Sequence, residues 1–207
     1  YWSPWLGNVG TVKAVIDSAY SLNKYSNGKL KSVLLNSVGE WYEHQDLKNK
    51  EKNIDIINLF KFNFHKYLPK TGFFKSRLST IFIFMFSIIP LYKIIKQSKP
   101  DYLVVQLITS LPLLLNFLFT LDTKIILRIS GFPKMNIFRK FYWKIVSKKI
   151  YRVTFPTRDL LEQFKKMEIF QSYQMKLLYD PIISYRNINS LRKEEIKDDI
   201  PRDKDFI

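Results

Sequence analysis

The sequence predicts a mixed α/β protein in which a parallel sheet is covered by helices on both faces. Short apolar runs alternate along the chain with segments of ten or more residues that have helical spacing, as strand–helix–strand units require. Most of the short runs are continuously hydrophobic, which is typical of parallel strands buried on both sides. Hydrophobic residues make up 46% of the 207 residues, enough to form a packed core and to exclude wholesale disorder.

The first half of the chain contains one short helix, two strands and one long helix. Residues 11–23 carry apolar side chains at helical spacing, which predicts the first helix. The short apolar runs at 32–35 and 54–60 indicate strands. Residues 74–97 are predicted to be a long helix that bends at Pro90, because proline removes a helical hydrogen bond.

The second half of the chain repeats a strand followed by a helix, and then adds a last strand. Thr157 is predicted to cap the last helix, since threonine accepts a hydrogen bond from the first turn. The strand and helix pairs are 102–107 with 111–121, 124–129 with 136–147, and 152–155 with 157–166, followed by a strand at 175–179 that ends at Asp180-Pro181.

Right-handed crossovers between such strands give a Rossmann-like, doubly wound parallel sheet, which we assign to residues 1–183. From residue 184 the sequence becomes polar and charged, so 184–207 is predicted to be a hinge and the start of a second domain. The chain opens at Tyr1 without an initiator Met or a signal-peptide pattern, and it stops where an apolar run starts. We therefore expect an internal fragment whose C-terminal domain is missing.

The positive charge is concentrated in the middle of the chain. Residues 61–158 carry 18 Lys and Arg against two acids, Asp101 and Asp122, which accounts for the whole net charge of +16. Large apolar residues lie between these bases, and residues 78–92 carry no charge. Because a spanning helix needs about 20 residues, three alternatives stay open for this segment: a core helix, a core helix that also touches a membrane, or a span. The basic block predicts attraction to a polyanion or to an anionic membrane surface.

Other classes of protein fit the sequence less well. A non-enzymatic module that binds nucleic acid or membrane is the alternative to an enzyme, but the aromatic residues fall in predicted helices and buried runs, so nucleic acid is not an expected partner. A small protein with two membrane spans is disfavoured by the polar residues that interrupt 102–121. The chain has no Cys and two His, which excludes a thiolate metal site and a cysteine nucleophile, and no metal is expected.

A glycine-containing turn precedes the first helix. Gly7-Asn8-Val9-Gly10-Thr11 lets the backbone approach a ligand, and the helix N-terminus behind it offers N–H groups and partial positive charge to a phosphate. The spacing is G-x-x-G, which differs from the dinucleotide fingerprint and from the Walker P-loop. A plain strand-to-helix turn is the alternative interpretation.

Further polar residues follow the predicted strands, where ligands of open α/β sheets bind. Arg128, Ser130, Gly131 and Lys134 follow one strand, Thr157 follows the next, and Gln106 ends the strand 102–107. Solvated loop side chains and, for Thr157, a helix cap are the alternatives. The group Glu40-Trp41-Tyr42-Glu43-His44 is a candidate lining for a substrate cleft, or a loop packed by its own Trp.

The order of these segments resembles the N-terminal domain of a GT-B-fold glycosyltransferase of family 4. The resemblance rests on the glycine turn followed by Lys99-Pro100-Asp101-Tyr102-Leu103-Val104-Val105-Gln106, Lys124-Ile125-Ile126-Leu127-Arg128-Ile129-Ser130-Gly131, Arg152-Val153-Thr154-Phe155-Pro156-Thr157 and Lys176-Leu177-Leu178-Tyr179-Asp180-Pro181-Ile182. It covers nearly the whole chain.

The resemblance implies transfer of a sugar from a nucleotide-sugar donor, with retention and without a cofactor, to a glycan or lipid-linked acceptor at the inner face of the cytoplasmic membrane. It implies that Gly7, Asn8, Gly10 and Thr11 approach the donor diphosphate, and that the residues after the later strands face the acceptor. Family members often carry histidine where this chain has Ser130, so a histidine-dependent role is not expected there, and Ser130 is the catalytic candidate through a hydrogen bond to the transferred sugar. The fragment is expected to be inactive without its second domain.

Overall fold

The computed structural model describes residues 1–7, 10–42, 44, 54–69, 73–133, 135–181 and 192. The protein is a mixed α/β chain with parallel strands, as predicted, and element ends differ from the predicted ones by at most two residues. The helices are α1 (Gly10–Tyr25), α2 (Phe73–Ser98), α3 (Ser110–Phe119), α4 (Ile137–Val146) and α5 (Arg158–Met167), and the strands are β1 (Val33–Asn36), β2 (Asp55–Asn58), β3 (Tyr102–Val105), β4 (Lys124–Arg128), β5 (Arg152–Phe155) and β6 (Met175–Leu177). A single 3₁₀ turn, Ser147–Lys149, follows α4.

All pairings between these strands are parallel. One group has the order β3-β4-β5-β6 and the other pairs β1 with β2. Trp2 joins the two groups, because it forms parallel bridges to both Leu35 and Val105. The Trp2 amide donates to Val104 O at 2.8 Å, and the Gln106 amide donates to Trp2 O at 3.0 Å. The order across the sheet is therefore β2, β1, residues 1–3, β3, β4, β5, β6.

This order contains one reversal. From residues 1–3 the chain builds outward through β1 to β2, and it then returns to add β3 on the other side of residues 1–3. The reversal falls between residues 1–3 and β3. The carboxyl ends of both segments lie at the same edge of the sheet, because they run parallel.

Helices cover both faces of the sheet. Leu34 packs in a cluster with Val12, Val15 and Ile16 of α1, whereas Leu35 belongs to a second cluster that includes Leu91 of α2. Neighbouring residues of a strand point to opposite faces, so α1 lies on one face and α2 on the other. Helices α3, α4 and α5 contribute to the same cluster as α2.

Candidate functional site

A row of polar side chains crosses the sheet at its carboxyl edge. Arg128 is in register with Thr154, and Thr154 with Lys176. The two bridges of Trp2 place the next residue, Ser3, between Asn36 and Gln106. The whole polar row is Asn58, Asn36, Ser3, Gln106, Arg128, Thr154 and Lys176, and the row before it is apolar throughout: Ile57, Leu35, Trp2, Val105, Leu127, Val153 and Met175.

The polar row is buried on the α1 side of the sheet. The preceding apolar row includes Leu35 and Trp2, which face α2–α5, so the polar row points to the opposite face. Its five central members are at most 9% exposed. Each buried polar group left without a partner costs about 1–3 kcal/mol, so their hydrogen bonds decide what the row does.

Two members of the row are fully engaged in holding the fold together. The Asn36 amide donates to Asn58 Oδ1 at 2.8 Å, and its Oδ1 accepts from the Gly39 amide at 3.1 Å. The Arg128 guanidinium donates to Leu178 O at 2.5 Å and forms an ion pair with the Asp180 carboxylate. Arg128, a candidate cation for the cleft, thus fastens β4 to the segment that follows β6.

Three other members lack hydrogen-bond partners among the described residues: Ser3 Oγ, Gln106 Oε1 and Thr154 Oγ1. Ser3 and Gln106 are neighbours in register and flank the reversal of strand order. Native structures rarely leave such groups unpaired, and convergent polar groups in a crevice are typical of ligand sites. Two of these three side chains therefore lie where the topology favours a ligand.

The glycine turn begins at the same edge. Gly7 and Gly10 are exposed, and a Cβ added at either would meet none of the described residues within 4 Å. Asn8 lies outside the described residues, and Thr11 is half-buried in the first turn of α1. The first turn of α1 has no acidic residue to compete for its N–H groups. This helix end can accept an anion.

The candidate residues after β4 and β5 also lie at the carboxyl edge of the sheet, but beyond β3 as counted from residues 1–3. Ser130 and Gly131 are exposed, and Lys134 lies outside the described residues. A Cβ at Gly131 would also meet no atom of the described chain within 4 Å. Thr157 Oγ1 accepts from the Leu160 amide at 3.3 Å, so this threonine caps α5, as predicted.

The residues after β1 form a packed turn. Trp41 is 1% exposed and its Nε1 donates to Leu35 O at 3.2 Å. The Glu40 carboxylate accepts from the Val38 amide at 2.7 Å and from the Ser37 amide and hydroxyl, while burial raises the pKa of Glu40 above its usual range. Glu43 lies outside the described residues. These bonds hold the turn against the carboxyl end of β1.

Sequence reasoning missed an aromatic cluster beside the glycine turn. The Trp5 ring lies 4.9 Å from the His65 ring and 5.9 Å from the His44 ring, between centroids.

Sequence reasoning also missed Ser3. The signal that drew attention to Gln106, a polar residue directly after an apolar strand, applies equally to Ser3 after Tyr1-Trp2.

Other parts of the described chain offer less. No group of three or more His, Asp or Glu side chains suited to a metal ion occurs within the described ranges. A shallow depression lined by Thr120, Asp122, Lys124 and Tyr151 lies at the amino ends of β4 and β5, away from the N-terminus of α1. Ligands of parallel α/β sheets bind at the carboxyl ends, so this depression is not the candidate site.

Comparison of the chain with protein-family models, with curated proteins and with solved structures found no match. The candidate site therefore rests on the order of the strands, the polar row and the glycine turn.

Proposed function

We propose that the chain is the N-terminal, Rossmann-like domain of a GT-B-fold retaining glycosyltransferase, and that residues 7–11 hold the diphosphate of a nucleotide-sugar donor. One observation carries this proposal: strand order reverses between residues 1–3 and β3, directly beside the N-terminus of α1. In doubly wound sheets the ligand lies in the crevice at such a reversal, and a helix N-terminus there favours phosphate.

The chemistry of glycosyl transfer suits this arrangement. Negative charge develops on the departing diphosphate, and oriented N–H groups at a helix N-terminus stabilise it. The open space at Gly7 and Gly10 allows close approach of the phosphate oxygens to the backbone. The Ser130 hydroxyl is exposed at the same edge and is our candidate for a hydrogen bond to the transferred sugar.

The acceptor in this proposal is a glycan or a lipid-linked saccharide in the synthesis of cell-surface polysaccharide or lipopolysaccharide. Gln106, Gly131 and Thr157 follow three strands whose carboxyl ends share one edge, and this edge would face the acceptor. The excess of basic residues supports a position on the inner face of the cytoplasmic membrane. Transfer would require a second domain to complete the donor site.

Titration with inorganic pyrophosphate tests the proposal without a second domain. Trp5 lies two residues before Gly7, so tryptophan fluorescence should report binding. Gly10→Val should weaken pyrophosphate binding by about tenfold or more, because its side chain occupies the space that the phosphate needs. The fold should be unaffected, since a Cβ at Gly10 meets nothing within 4 Å, and thermal unfolding checks this.

Gly131→Val is the matched control, because Gly131 has equal open space but lies after β4, on the proposed acceptor side. It should bind pyrophosphate like the unsubstituted protein. Unchanged pyrophosphate binding in a folded Gly10→Val protein would show that the diphosphate does not bind at the glycine turn. Tight binding of a single-stranded oligonucleotide with no response to pyrophosphate would instead support a non-enzymatic basic module.

A further inference from the structure

Between residues 78 and 92, helix α2 is more apolar on its solvent side than on its buried side. Its buried stripe repeats every four residues and includes two serines: Ser79, Ile83, Ser87, Leu91 and Ile95, all at most 3% exposed. Its solvent side carries Leu78, Ile81, Met85, Phe86 and Ile89, which are 54–68% exposed. Surface helices of soluble proteins show the opposite distribution, so the solvent side of α2 requires a cover.

The exposed apolar surface continues onto α3 and α4. The Tyr92 ring of α2 lies 4.6 Å from the Phe119 ring of α3, and the Tyr142 hydroxyl of α4 donates to Ser110 O at 2.8 Å. The three helices therefore form one continuous surface, which we call the α2–α4 face. Besides the α2 residues, its exposed apolar members are Phe117, Leu118, Phe119, Ile137, Phe138 and Phe141, at 40–80% exposure. Patches of this kind mark interaction sites.

The charge of the same face identifies what covers it. Helices α2, α3 and α4, with the turn Ser147–Lys149, contain nine Lys or Arg and no Asp or Glu. A second copy of the chain on this face would bring two strongly positive surfaces together, which repel each other. An anionic bilayer complements both the apolar side chains and the bases around them.

We infer that the α2–α4 face docks on an anionic lipid bilayer, with α2 lying along the interface. The segment Arg77–Ser98 is long and apolar enough to cross a membrane. However, Ile83 and Leu91 in its buried stripe are 0% exposed, so one side of the helix packs against the protein and only the other can meet lipid. This inference stands on a different surface from the glycine turn and holds whether or not the chain transfers sugars.

Single-cysteine labelling tests the orientation, because these 207 residues contain no cysteine to interfere. A polarity-sensitive nitrobenzoxadiazole label is attached in turn to Ile81→Cys, Met85→Cys, Ile89→Cys and Phe141→Cys, and vesicles of phosphatidylglycerol and phosphatidylcholine are added. We expect a blue shift and increased emission at all four positions. Labels in place of Leu30 and Tyr173, which are exposed outside the face, should not respond. Equal responses at the two control positions would overturn the orientation.

Vesicle sedimentation tests the contribution of the apolar side chains. The combined change Leu78→Gln, Ile81→Gln and Ile89→Gln should weaken sedimentation by about tenfold or more. The matched control changes three exposed leucines outside the face, Leu22, Leu30 and Leu178, to Gln and should change it less than about twofold. Thermal unfolding confirms that both variants are folded.

The remaining outcomes also decide the inference. Equal loss of sedimentation in the two triple variants would overturn it. A dimer in analytical ultracentrifugation that dissociates only in the α2 variant would overturn it in favour of a second copy. Sedimentation that falls with added salt, and that is weak with pure phosphatidylcholine, supports the anionic bilayer.

Discussion

Two stretches of the polar row differ in how their buried side chains are bonded. On β4, Arg128 is paired with Asp180 and with the carbonyl of Leu178. Beside the reversal of strand order, Ser3 Oγ and Gln106 Oε1 have no hydrogen-bond partner within the described part of the chain. Both places are buried and lie at the same edge, so burial alone does not distinguish them. Hydrogen-bond saturation separates the side chain that stabilises the sheet from those available to a ligand.

The largest effect on the free energy of unfolding is expected at Arg128. Arg128→Met should lower the free energy of unfolding by about 3–5 kcal/mol, because it leaves the Asp180 carboxylate and the Leu178 carbonyl without their donor. Urea unfolding measures this. Arg152→Met is the control, since its guanidinium contacts the neighbouring Tyr151, donating to the carbonyl at 3.0 Å and lying 4.5 Å from the ring centroid, and it should cost about 0.5 kcal/mol. Equal losses in the two variants would show that the buried pair does not stabilise the sheet.

Two glycines, Gly39 and Gly10, differ in how much space surrounds them. Gly39 has φ +101°, and a Cβ there would lie 2.3 Å from Asn63 Oδ1 and 2.9 Å from Asn63 Cα. Gly39→Ala should therefore cost about 2–3 kcal/mol in urea unfolding. Gly10→Ala should instead be neutral or stabilise by up to about 1 kcal/mol, because it meets open space at the start of a helix. A large loss in Gly10→Ala would show that the glycine turn is constrained by packing.

The smallest effect on stability is expected at Ser3 and Gln106. Gln106→Met and Ser3→Ala each remove a buried polar atom that has no partner among the described residues, so stability should stay constant or rise by about 1 kcal/mol. Thermal and urea unfolding measure this. A loss of more than about 1 kcal/mol in either variant would mean that these atoms are bonded in solution, and their contrast with Arg128 would disappear.

Local signals in the sequence were sufficient for the secondary structure. Helical spacing located α1, continuous apolar runs located β3 and β4, and a threonine before a helix located the cap at Thr157. These features depend on residues close together in the chain. Each strand contributes one polar residue near its carboxyl end. The sequence alone indicated two of these residues, Gln106 and Arg128.

The partners of those polar residues depend on tertiary structure. Arg128 and Asp180 are 52 positions apart, and Trp2 pairs with both Leu35 and Val105. No local pattern specifies these pairings, so neither the polar row nor the difference between its bonded and unpartnered side chains was predicted. The same limit applies to α2. Its segment 78–92 has no charged residue to mark the solvent side. Only packing determines that Ser79 and Ser87 face inward while Leu78 and Ile89 face outward.

The ion pair between Arg128 and Asp180 also has a mechanical consequence. It ties residues 178–180 to β4, across the intervening strand β5. Breaking the pair would therefore free this segment from β4 even where the pairing of β4, β5 and β6 survives.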